Sequence, residues 1–199
     1  RCILMSNILI RDGKGSGIAA EVDAKQRLAT VSTAQTELVS ATKTGNAYTI
    51  STGVLNLTSA NESAVLYIKS TEDSDLVIHS ITVEIGASTG GSGDVIQTNY
   101  ILPTGGTLIS DATAAITSNL NASSSNTLSA TNFKGGEGKT VSGAIASSGF
   151  IRHLSQNDIV PAGFIIPKGA SLGLSLNPPA GNTSLNVSVF VLVYLLDEV

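Results

Sequence analysis

Few residues in this chain have the type and spacing to do chemistry. The nearest approach to a nucleotide motif is GGEGKT, Gly135 to Thr140. A phosphate-binding loop ends in Gly-Lys-Ser/Thr, with a further glycine five residues upstream and a helix directly after it. Phe133 holds the upstream place, and Val141-Ser142-Gly143 does not start a helix. The stretch reads as a surface turn. His79 and His153 are the only histidines, and neither has a partner at i, i+2 or i+4. Histidine spacing therefore gives no metal site. His79 shares an alternating strand face with Val77, Ile81, Val83 and Ile85, where a core or interface histidine is expected. Glu72, Asp73 and Asp75 gather in a turn. Such carboxylates could bind calcium weakly, but Asp and Ser also favour turns for backbone reasons. Cys2 is the single cysteine, so no internal disulfide forms. No Gly-x-Ser-x-Gly elbow is present. Asn56, Asn61, Asn121, Asn182 and Asn186 open Asn-x-Ser/Thr triplets, as chance gives in a chain rich in Asn, Ser and Thr. The sequence thus names no catalytic residue, no metal ligand and no cofactor.

Composition points the same way. The 199 residues are 42% hydrophobic and 13% charged, against about 25% charged in ordinary globular domains. Hydroxyl, amide and glycine residues fill the gap, which suits a β-rich surface that packs against copies of itself. A net charge of −4 leaves no electrostatic footprint for nucleic acid. The longest apolar run, Val189 to Leu196, falls far short of the ~20 residues of a membrane-spanning helix. RCILMSNILIRDG does not read as a secretory signal, and Met5 is a candidate initiator with Arg1 to Leu4 as an extension.

The elements that would position any site are mostly strands. Residues 1–45 read as an extended apolar arm, a short hairpin and a short helix. The helix is expected over about Thr33 to Lys43, opened by a Ser32/Gln35 capping box and ended by Gly45. Residues 46–199 read as a β-sandwich. Alternation marks Ala47–Leu57, Ala64–Ser70, Leu76–Gly86 and Val95–Leu102. Ala87–Asp94 reads as a loop, Thr113–Asn121 admits a helical turn, and short strands are expected at Thr107–Ile109, Leu128–Phe133 and Phe150–Leu154. Ser171–Leu176 and Leu185–Leu196 read as a closing hairpin. The expected fold is an all-β, jelly-roll-like antiparallel sandwich with an N-terminal arm and one short helix. An immunoglobulin-like sandwich is the alternative.

The last strand carries the clearest functional hint. Leu185, Val187, Val189, Val191, Val193 and Leu195 form one apolar face. The other face starts polar, at Asn186 and Ser188, and turns apolar at Phe190, Leu192, Tyr194 and Leu196. A strand apolar on both faces is covered on both, here by an element of the same chain or by another subunit. Phe190, Leu192 and Tyr194, with Ile3, Leu4, Ile8, Leu9 and Ile10 of the arm, are the candidate interface residues.

The order of several segments resembles the virion structural proteins of tailed bacteriophages. These are DGKGSGIAAEVDAKQRLAT, GNAYTISTGVLNLTSANESAVLYIKSTEDSDLVIHSI, LPTGGTLIS, SSSNTLSATNFKGGEGKT and IIPKGASLGLSLNPPAGNTSLNVSVFVLVYL. The likeness runs over nearly the whole chain from Ile8, and ATAAITSNLN, Ala112 to Asn121, departs from it. It implies a non-enzymatic β-sandwich on the particle surface: a capsid decoration (cement) protein or a tail-associated component. The implied partners are further copies of the chain, a trimer being favoured, and the major capsid protein or other virion proteins, with assembly in the host cytoplasm and no nucleic acid or membrane bound. A receptor- or glycan-binding head is the competing binding function, and a hydrolase on a jelly-roll scaffold the competing enzyme.

Overall fold

The computed structural model describes residues 36–58, 61–89, 95–103, 109, 113–152 and 158–196. They belong to one compact unit, Thr36–Val199, so the helix falls in the same unit as the sandwich. The arm residues Ile3, Leu4, Ile8, Leu9 and Ile10, together with Cys2, the short hairpin, Thr107, Leu108 and His153, lie outside the described residues.

One helix precedes the strands. α1 spans Glu37–Thr44. Its N-cap is Thr36, whose Oγ1 accepts from Val39 N at 3.3 Å, rather than Ser32. Thr36 itself is extended, so the helix cannot begin earlier. Gly45, at φ 78°, ends it in the left-handed region, where a side chain would be strained.

Eleven strands follow among the described residues: β1 Ala47–Leu57, β2 Ser63–Ser70, β3 Leu76–Thr89, β4 Val95–Pro103, β5 Thr113–Ala114, β6 Ile116–Asn119, β7 Ala130–Lys134, β8 Gly143–Arg152, β9 Asp158–Ile166, β10 Ser171–Asn177 and β11 Ser184–Leu195. They form two sheets, ordered β6-β1-β11-β3-β9 and β5-β7-β2-β10-β4-β8. Every pair is antiparallel. The molecule is an all-β sandwich of two antiparallel sheets with one short helix.

The core lies between the sheets. β11 gives Leu185, Val187, Val189, Val191 and Val193 to one wall, and β10 gives Leu172, Leu174 and Leu176 to the other. β10 and β11 therefore do not form a hairpin, because they belong to different sheets. Both need a partner for an apolar face, and facing each other across the core supplies it. The connecting Pro178 and Pro179 fix their own φ and lack N–H groups, which suits a crossing rather than a tight hairpin turn. Asn182 ties the crossing to the end of β1, donating Nδ2–H to Leu57 O at 2.9 Å.

Other departures from the sequence reading have local causes. Thr113–Asn121 is not helical: β6 pairs with β1 and β5 with β7. β3 runs on through Thr89, into the stretch expected as a loop. Of the short strand expected at Phe150–Leu154, residues 150–152 are the end of a much longer strand, β8, while His153 and Leu154 lie outside the described residues; β9 was not expected at all.

Candidate assembly surface

The outer face of the five-stranded sheet brings the late-strand residues together. Phe190 lies between Ser51 of β1 and Thr82 of β3, and Leu192 between Thr49 and Ser80. Tyr194 lies between Ala47 and Val77. These three rows have different fates. α1 covers the Tyr194 row: Ala41, Ala47 and Tyr194 form a buried cluster, flanked by Leu38, Val77 and Leu196. The Tyr194 hydroxyl donates to Glu37 Oε2 at 2.8 Å. Burial and the neighbouring carboxylate both hold that phenol above its ordinary pKa. The cover over Tyr194 thus comes from the same chain. Leu192 is half-buried, and Phe190 is 40% exposed.

Two residues that the sequence reading passed over extend the open part. Ile116 of β6 pairs with Ser51 and is 60% exposed. Val54 of β1 is 74% exposed. Simple alternation from Tyr48 would turn Val54 inward with Ile50. The register shifts between Ser51 and Val54, so Leu55 and Leu57 take the core side instead. An extra residue in one strand reverses the faces beyond it, and Gly53, at φ 64° inside the shifted stretch, is the one residue type in the sequence that marks the break. Beside Val54 runs a shallow open groove of about 370 Å³, lined by Val54, Glu84, Ile85, Gly86, Asn186, Val187 and Ser188. Its polar groups bond to near neighbours: Ser188 Oγ to Glu84 Oε2 at 3.1 Å, and Asn56 Nδ2 to Asn186 Oδ1 at 2.7 Å.

The same re-phasing moves His79. β3 points Leu76 and Ile78 inward, shifts register, and then points Ile81 and Val83 inward. His79 is therefore exposed on the outer face, with Val77 beside α1, and not on the core face that strict alternation expects. Its ring lies 6.3 Å from that of Tyr194.

The other candidate chemistry is committed to holding the fold. Around GGEGKT, Gly135 N–H donates to Val65 O at 2.9 Å and Gly136 N–H to Ala64 O at 3.0 Å. Gly138 N–H donates to Ser63 Oγ at 3.1 Å, and Glu137 Oε2 accepts from Thr58 N at 2.7 Å. The amides a phosphate would need are bonded to β2 and its approach. The double glycine also has a steric cause: a Cβ on Gly135 would stand 1.8 Å from Ala64 O. The acidic turn does not converge either. Glu72 Oε1 accepts from Ser129 N, and Asp73 pairs with Lys168. The Lys168 ammonium, by hydrogen bond and charge, holds the Asp73 carboxyl below its ordinary range. Among the described residues, no group of three or more His, Cys, Asp or Glu side chains is placed to hold a metal ion. The Asn-x-Ser/Thr asparagines are structural where described in detail. Asn182 is buried, and Asn121 Nδ2 donates to Lys43 O at 3.2 Å.

No known family model matches the chain, and no curated protein sequence matches it either. Among the described residues, no helix is long and apolar enough to cross a membrane.

Proposed function

We propose that this chain is a non-enzymatic structural protein of a bacteriophage virion, a capsid decoration (cement) protein that stabilises the particle through oligomeric and lattice contacts. The observation that carries the assembly part is the open apolar stretch of the outer sheet: Val54, Ile116 and Phe190, among Ser and Thr. Covering one large apolar side chain contributes roughly 1.5–3 kcal/mol, so a neighbour seated there gains more than the hydroxyl rim would return. The segment resemblance supplies the virion part. Further copies of the chain, in a trimer, and the major capsid protein are the proposed partners, at the particle surface after assembly in the host cytoplasm. Many weak lattice contacts then give high occupancy without a deep pocket.

The strand orders support the jelly-roll form of sandwich. With β5, β6 and β7 set aside as an insertion, they read β1-β11-β3-β9 and β2-β10-β4-β8. The groove beside Val54 favours a second reading, a receptor- or glycan-binding tail component. Its lining contains no aromatic side chain to stack on a sugar ring, which ranks that reading second.

A map of the intact particle tests the proposal. Regular copies of this chain on the capsid exterior are the expected result. A chain absent from the particle, or confined to a tail tip where it binds glycans on an array, would overturn it.

A further inference from the structure

β8 is the outermost described strand of the six-stranded sheet, paired on one side with β4. An edge strand presents a row of unpaired N–H and C=O groups to any other strand that fits. Natural edges are usually blunted by lysine, proline, short length or cover. β8 is 10 residues long. Gly143 to Phe150 holds no charge and no proline. Each of those residues is exposed except half-buried Gly149. The edge also carries apolar side chains: Ile145 is 58% exposed and Phe150 74%. Both stand on the outer face, because Ile145 pairs with Ile101 and Phe150 with Gln97. Ile101 and Gln97 in turn pair with Gly173 and Asn177, on the side of β10 away from Leu174 and Leu176. The register shift between Tyr100 and Ile101 is what puts Ile145 and Phe150, an odd number of positions apart, on one face.

We propose that β8 is a strand-addition site for β8 of a second copy, the two running antiparallel about a two-fold axis and joining two sheets into one. Three features select a copy as the occupant. The stretch is neutral, so two identical strands meet without like-charge repulsion. Its centre, Ala146 to Gly149, is small, which lets two edges close to ladder distance. Its large apolar side chains lie toward opposite ends, so reversal brings Phe150 of one copy toward Ile145 of the other on a shared face. Such cross-strand pairs are the units that stabilise a sheet. An isologous contact of this kind is self-complementary. The inference rests on the reading of the chain as an assembly protein, but it uses a surface separate from Phe190.

A charge-swap pair in the full chain tests it. Both positions are exposed, so neither change opens the core. The I145K/F150K variant sets like charges against each other across the axis, and it should weaken dimerisation at least tenfold in sedimentation equilibrium. The I145K/F150E variant sets opposite charges together and should restore it, with an affinity that falls as salt rises. In the unaltered chain, amides of residues 143–150 should gain protection from hydrogen exchange as concentration increases, and should still do so when Phe190→Asp has removed the other contact. Equal behaviour of the two variants, or β8 exchange that is independent of concentration, would overturn strand addition while leaving the Phe190 surface to be judged by its own variant.

Discussion

Tyr100 shows how one polar atom sets a pH limit. Its ring packs in the core, 5.7 Å from that of Phe164, and its hydroxyl is buried with no hydrogen-bond partner among the described residues. Burial lifts its pKa from 10.0 to about 12. The folded-state value lies above the unfolded one, so the stabilisation from keeping the phenol neutral is whole below about pH 10. It is lost as pH rises towards 12, at about 1.4 kcal/mol per unit. Tyr100→Phe should leave stability at neutral pH within about 1 kcal/mol of the original, and should flatten the alkaline fall. Denaturant melts at several pH values between 8 and 12 would show it; an unchanged alkaline slope would mean that other groups cause the loss. Tyr48 and Tyr194 are also held above their ordinary value by burial, so some slope should remain. Sequence gave no sign of this buried hydroxyl, because Tyr100 sits in an ordinary alternating run.

At the scale of the element, the strands were easier to read than their faces. β1 was expected at its observed bounds, and β2, β4, β10 and β11 within one residue at each end. Their alternation is regular and their turns carry Gly, Pro, Asn or Asp. What alternation could not show is where it breaks. Shifts in β1, β3 and β8 decide that Val54, His79 and the Ile145–Phe150 pair face outward. The β1 shift has a visible support in Thr52. Its buried Oγ1 accepts from Val189 N at 3.0 Å and donates to Gly53 O at 2.8 Å, standing in for a ladder carbonyl. Thr52→Val keeps the shape and removes the acceptor, leaving a buried N–H without its bond. A loss of about 1–3 kcal/mol in a chemical melt is expected. No loss would mean that the shift is held by the flanking pairs alone. Sheet membership was equally hidden, since β10 and β11 look like a hairpin until both are seen to line opposite walls of one core.

For the whole molecule, the late strand was half legible. Two-sided greasiness predicted a cover, and among the described residues only one part of the face has one. α1 shields Tyr194 from within, while Phe190 stays open beside Ile116 and Val54. Cover from within was open in the sequence reading as one of two alternatives. Ile116 was missed because its segment, poor in strand signals, becomes a strand only by pairing with β1. The most direct measurement of the central claim is the solution mass of the unaltered chain and of Phe190→Asp, by light scattering coupled to size exclusion, with circular dichroism to confirm the fold. The account predicts an oligomer for the first and, for the second, a smaller species with an unchanged spectrum. A monomer for the unaltered chain at every concentration, or an oligomer indifferent to aspartate at position 190, would contradict it.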